Sequence, residues 1–181
     1  AASGDPVEPG GDSTPAPVPS ATVAPGTLRL SWSRSPSPTV LGYKILAGPS
    51  PDNLWIEWDV GNTTSYQPEY LQPNQRYYFR VQAYNFRRFG PPQAQELSGV
   101  VTPPRVDRIT PDHGPVWGET EVTIEGENFL SGLTVKIGGS YLSNVKLVSP
   151  TRITGLTPRY SVGTFDVMVR NPGKQEAFLF K

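Results

Sequence analysis

Apolar residues at every second position, in short runs that stop at proline or glycine, restrict this chain more than any other feature. Leu28, Leu30 and Trp32 are spaced two apart, which places all three on one face of a strand. Ser35-Pro36-Ser37-Pro38 breaks that run, Tyr43, Ile45 and Ala47 resume it, and Gly48-Pro49-Ser50-Pro51 ends it. Residues 54–60, a Gly61-Asn62 turn, the alternating set Tyr77, Phe79, Val81 and Ala83, a loop from Asn85 to Pro92 and a last run Leu97 to Thr102 follow. Further on, Val122 and Ile124, Val135 and Ile137, and Phe165, Val167 and Val169 alternate in the same way. Val145, Leu147 and Ile153 supply further strands, Gly138-Gly139 and Asn171-Pro172-Gly173 make turns, and Phe178 and Phe180 close the chain. Turn signals at intervals of roughly 8–12 residues indicate β-sandwiches. Pro and Gly together make about a fifth of the 181 residues, against a usual total of roughly 12%. That excess agrees with turn-rich β structure and disfavours a helical bundle.

Composition removes several function classes. The chain has no Cys, so disulfides, thiolate zinc sites and a thiol nucleophile are excluded. The single histidine, His113, cannot build a multi-histidine metal site, and its place beside Gly114 suits a turn better than a catalytic role. Lys plus Arg and Asp plus Glu each total 16, for a net charge of zero. That balance is unlike a nucleic-acid binder, whose affinity rests on phosphate neutralisation. No run approaches the ~18 apolar residues of a membrane span. No cofactor is expected.

Residues 1–20 read AASGDPVEPGGDSTPAPVPS, with five prolines, three acids and no Lys or Arg. Such a segment cannot bury enough apolar surface to offset its chain entropy, so it is expected to be a disordered, Pro-rich linker. The chain opens Ala1-Ala2-Ser3 and its one Met is Met168. It is therefore read as processed or excised, with a lipid anchor upstream of Ala1 as an expectation.

Trp32 followed by Pro36, Tyr43-x-Ile45, and Leu71-x-Pro73-x-x-x-Tyr77-x-Phe79-Arg80-Val81-x-Ala83-x-Asn85 closely resemble a fibronectin type III domain over residues 21–102. The resemblance implies that Trp32 is the core tryptophan and that Tyr77 is a tyrosine corner whose hydroxyl bonds back to upstream backbone. Leu71 and Pro73 are then structural. Gln75 stands where that family usually has Thr.

The second half carries Ile109-x-Pro111-x-x-Gly114-Pro115, Gly118-x-Thr120-x-Val122-x-Ile124-x-Gly126-x-Asn128-Phe129 and Asp166-Val167-x-Val169-x-Asn171-Pro172-Gly173. These elements resemble an IPT/TIG domain, an immunoglobulin-like sandwich, over residues 103–181. Gly126 and Asn128 suit a tight bend with positive φ. The expected fold class is therefore all-β: two tandem immunoglobulin-like sandwiches behind a disordered tail. Thr102-Pro103-Pro104 is a short, stiff join, which predicts an end-to-end rod.

Catalysis has no constellation to support it. Asp107 and Asp112 read as turn and capping acids rather than as the paired carboxylates of a glycosidase. Some IPT/TIG domains belong to DNA-binding factors, but acids and bases nearly balance in residues 103–181 and no basic cluster stands out. Binding surfaces are better candidates. With Tyr77, Phe79, Val81 and Ala83 inward, Tyr78, Arg80, Gln82 and Tyr84 face out. Trp55 and Trp58 have opposite parity, so at least one is exposed. Aromatic faces beside Arg suit stacking on sugar rings or burial in a protein interface, while cross-strand pairing alone also favours outward Tyr. In the loop Asn85-Phe86-Arg87-Arg88-Phe89, two Arg between two Phe combine anchors with charge-assisted donors. A second reading is that Phe86 and Phe89 pin the loop to the sandwich. Trp117, between Val116 and Gly118, is expected in a turn, either packed at the joint or exposed. Asn62-Thr63-Thr64 fits a glycosylation acceptor.

The sequence therefore reads as a non-catalytic extracellular or cell-surface binding, adhesion and spacer module with a protein or glycan partner. Two alternatives stay open: an accessory segment of a secreted polysaccharide-processing enzyme, and a subunit of a surface filament or secretion assembly.

Overall fold

The computed structural model describes residues 15, 16, 18, 20–86, 88–93 and 96–181. The tail before Pro15 and Arg87 lie outside the described residues. Every regular element among them is a β-strand. The chain divides into two compact units that are not contiguous in sequence. The first holds residues up to Val23, Leu30–Tyr66 and Tyr77–Ser98; the second holds Ala24–Arg29, Gln67–Arg76 and Gly99–Lys181.

The strands run β1 (Ala21–Val23), β2 (Leu30–Trp32), β3 (Gly42–Gly48), β4 (Ile56–Gly61), β5 (Ser65–Tyr66), β6 (Arg76–Tyr84) and β7 (Leu97–Val100). They form a three-stranded sheet ordered β1-β2-β5 and a four-stranded sheet ordered β4-β3-β6-β7. Strand β6 alternates strictly, with Tyr77, Phe79, Val81 and Ala83 buried, because one sheet face meets the core and the other meets water. The core is rich in aromatic rings. Trp32 packs edge-on against Tyr43, centroids 5.6 Å apart, and Tyr77 lies tilted against Phe79. Leu71 is buried and Pro73 is exposed in a turn.

One difference from the sequence reading lies at the chain's start. The linker is expected to reach residue 20, yet Pro15 and Val18 are buried. Ala16 N donates to Ser37 Oγ (2.7 Å) and Ser35 Oγ donates to Ala16 O (2.6 Å). Proline at residue 15 has a fixed φ, which lowers the entropy lost on docking.

The second unit contains β8 (Arg105–Thr110), β9 (Glu121–Glu127), β10 (Thr134–Ile137), β11 (Ser140–Tyr141), β12 (Ser143–Ser149), β13 (Arg152–Leu156), β14 (Val167–Arg170) and β15 (Glu176–Leu179). Its sheets are ordered β11-β10-β14-β15 and β12-β13-β9-β8. The core is aliphatic, built on Val122, Ile124, Val135, Ile153, Val167 and Val169, with Phe129 its one fully buried ring.

Gly126 departs from the expected positive φ. It sits inside β9 opposite Val106, where β8 shifts register. A Cβ there would lie 1.9 Å from Arg105 O, so glycine is required by the close approach of two backbones at a bulge. Asn128 does take the left-handed conformation, φ 57°. Buried Asn171 clamps the bend: its Nδ2 donates to Asn128 O (2.6 Å) and its Oδ1 accepts from Leu130 N (3.1 Å).

Candidate binding surfaces

The register of the first unit's four-stranded sheet assembles its outer face row by row. Lys44 stands between Asp59 and Gln82, and Leu46 stands between Glu57 and Arg80. Tyr78 lies opposite Gly48, and Tyr84 opposite Gly42. Tyr84 lies flat across Gly42, whose Cβ would come within 2.7 Å of its hydroxyl. That hydroxyl donates to both oxygens of Asp59 at 3.0 and 3.2 Å. Partial desolvation, then this hydrogen bond, raise the Tyr84 pKa above its ordinary value. Lys44 pairs with Glu57, which raises the pKa of the ammonium.

The loop after β6 closes as a tight hairpin. Asn85 N donates to Arg88 O (3.0 Å), Arg88 N donates to Asn85 Oδ1 (3.0 Å), and Tyr84 and Phe89 form a bridge. Gln93 holds the returning chain. Its side chain accepts from Val81 N (2.6 Å) and donates to Phe79 O (3.1 Å), so a buried amide stands in for a strand neighbour beside β6. The hairpin leaves Phe86 92% exposed.

The candidates named from sequence separate accordingly. Phe89 meets the Tyr84 ring at 6.0 Å, and Lys44 Nζ lies 4.9 Å above the Phe89 ring, so Phe89 anchors the hairpin on the sheet. Phe86 and Arg88 remain at the tip. Tyr78, Arg80 and Tyr84 share the outer face, with Arg80 donating to Pro51 O at 3.3 Å. Trp55 is 70% exposed. Trp58 is half-buried, its ring 5.6 Å from Tyr66, because it pairs with the core residue Ile45. Trp117 is exposed on a turn closed by Gly118 N donating to Pro115 O (3.0 Å).

The second unit's outer faces carry two further groups of paired side chains. Arg152, Glu125 and Arg108 stand in one transverse row across β13, β9 and β8, and both arginines bond Glu125. Arg108 first, then Arg152, hold the Glu125 carboxyl below the usual range. On the other sheet, Lys136 Nζ sits 4.4 Å over the Tyr141 ring, and Phe178 stacks on Phe180 at 5.6 Å. The sequence signal for these rows is two-residue alternation, but only strand register shows who faces whom. Among the described residues, no group of three or more His, Cys, Asp or Glu could hold a metal ion. Among the same residues, no helix is long and apolar enough to cross a membrane.

Comparison with protein families gives two adjacent matches. Residues 13–99 match the fibronectin type III domain, and residues 104–180 match the IPT/TIG domain. The chain is a fibronectin type III domain followed by an IPT/TIG domain. A comparison with curated protein sequences finds no match. Among solved structures, the sixth fibronectin type III domain of human fibronectin type III domain containing protein 3 is 26% identical, with TM-score 0.41, over 59% of this chain and 95% of that one. A two-domain fibronectin type III segment of chicken tenascin is 18% identical, with TM-score 0.42, over 91% of this chain and 99% of that one. The plexin A4 extracellular region is 17% identical, with TM-score 0.49, over 91% of this chain and 15% of that one. The fibronectin type III match begins at residue 13, within the stretch read from sequence as linker.

Proposed function

We propose that this chain is a non-catalytic protein-binding module that acts outside the cell or at its surface, with its principal contact on the fibronectin type III domain. Both families are typically non-catalytic and typical of extracellular or cell-surface proteins, which supports the class and the location. The observation that carries the site is Phe86, 92% exposed at the tip of a hairpin held by hydrogen bonds on both sides. A large exposed ring offers much apolar area for burial with few rotatable bonds, the property that makes aromatic anchors strong in interfaces. Arg88 beside it supplies charge-assisted donors.

The test is a screen of the labelled chain against arrays of extracellular proteins and, in parallel, of glycans. A protein ligand that loses about tenfold or more in affinity with Phe86→Ala supports the reading. Wild-type affinity in Phe86→Ala, or ligands on the glycan array alone, overturns it.

A further inference from the structure

The fibronectin type III domain holds the start of its own chain beside the Phe86 hairpin. Pro15 is buried, and its carbonyl packs on the backbone of Gly90, where a Cβ would lie 2.3 Å from Pro15 O. Gly90 N donates to Ala83 O (2.7 Å), so Gly90 is the residue that returns the hairpin to β6. Ala16 is tied to the next loop by its two bonds with Ser35 and Ser37. Glycine at 90 thus lets a second backbone come close, and that backbone carries residues 1–14 to the hairpin end of the domain.

Residues 1–14 lie outside the described residues, but the sequence sets their chemistry and their reach. Asp5, Glu8 and Asp12 are their charged side chains, and Pro6-Val7-Glu8-Pro9 puts three apolar side chains around one acid. At about 3.4 Å per extended residue, Asp12 reaches about 10 Å from Pro15 and Pro9 about 20 Å. By the same measure Arg88 lies at most about 7 Å from Gly90 and Phe86 at most about 14 Å. The acids can therefore meet the hairpin.

The hairpin offers the complementary chemistry. Phe86 is 92% exposed, and Arg88 is exposed beside it. Among the described residues no carboxylate pairs with Arg88. The acids of the adjoining sheet face are engaged, Glu57 with Lys44 and Asp59 with Tyr84. A short tether gives the segment an effective concentration on the order of millimolar. That populates a contact too weak to form between separate molecules.

We propose that residues 5–12 fold back over this hairpin, with Asp12 pairing with Arg88 and Pro6-Val7-Glu8-Pro9 lying on the Phe86 ring. The segment is then a competitor built into the chain, which a protein partner must displace. That consequence rests on the reading of Phe86 as the partner contact, whereas the contact within the chain does not.

The chain has no cysteine, so Ser3→Cys carries a nitroxide label at a single place. Paramagnetic relaxation enhancement of the amides of the full chain then reads where the segment rests. Strong enhancement is expected at Phe86 and Arg88. A chain that only starts nearby also visits the hairpin, so the deciding comparison is Asp5→Asn/Glu8→Gln/Asp12→Asn, which keeps length and attachment and removes the charge. Enhancement at the two amides should fall about threefold in that variant, in Arg88→Gln, and in 0.5 M salt, where charges are screened beyond about 4 Å. Unchanged enhancement in either variant overturns the proposal, as does enhancement centred on another face of the domain. The measurement needs no partner, so its failure leaves the Phe86 reading to be decided by the binding screen.

Discussion

The two domains solve one problem with different side chains. Neither has a cysteine, so each sandwich is held by packing and hydrogen bonds alone. The fibronectin type III domain fills its centre with Trp32, Tyr43, Tyr77 and Phe79, whereas the IPT/TIG domain uses valine and isoleucine around Phe129. Large rings cover much area with few side chains and need neighbours of matching shape. Branched aliphatics fill the same thickness in smaller pieces. The surfaces differ as well. On the first domain, an aromatic tip projects beyond a face where Tyr84, Asp59, Lys44 and Phe89 already hold one another. On the second, the Arg108–Glu125–Arg152 row is paired within the sheet, and exposed rings stand at Trp117, Tyr141, Phe178 and Phe180. Where a face pairs its own charges it has little left to offer a partner, whereas exposed rings keep apolar area to bury.

The largest expected effect tests the cores. Trp32→Ala should cost its domain about 3–5 kcal/mol, and Ile124→Ala about 2–5 kcal/mol, each by lost transfer energy plus a cavity. Urea titration followed by NMR signals resolved for each domain measures both. A loss below about 1 kcal/mol at Trp32 would show a core that collapses around the gap, and would break the contrast between ring and aliphatic packing. Next, Asn171→Ala should cost about 1–3 kcal/mol, because Leu130 N and Asn128 O lose their partner in a buried bend. The smallest effect concerns Glu125. Its folded pKa is lowered, so the unfolded chain binds its proton more readily. The contribution is full above the ordinary glutamate value of about 4.3 and is lost as pH falls through the lower folded value. Glu125→Gln should therefore narrow the gap in urea midpoint between pH 7 and pH 3 slightly, and an unchanged gap would show that the row adds nothing measurable.

Much of this fold is legible in the residues because β structure writes its facing into a two-residue period. The alternation of β6, the burial of Trp32 and Tyr77 and the left-handed bend at Asn128 all follow from local pattern. Trp58 does not, since parity alone leaves either tryptophan free to face out and only the pairing with Ile45 decides. Gly126 looks like a bend glycine until β8 is laid beside it. Gln93 and Asn171 read as ordinary loop amides, yet each is buried and bonds backbone that is distant in sequence. The docking of Pro15 to Val18 is hidden by a composition that reads as linker.

The sequence by itself determined the all-β class, the two family assignments and the inward or outward facing of the long strands. These are properties of short windows, where local periodicity and turn residues suffice. Tertiary structure alone decided that Phe89 is pinned while Phe86 stays exposed, why glycine is needed at residue 126, and which backbone groups the buried Gln93 and Asn171 bond. Each of those depends on groups brought together by strand register and loop packing over long separations, and no local pattern encodes that distance.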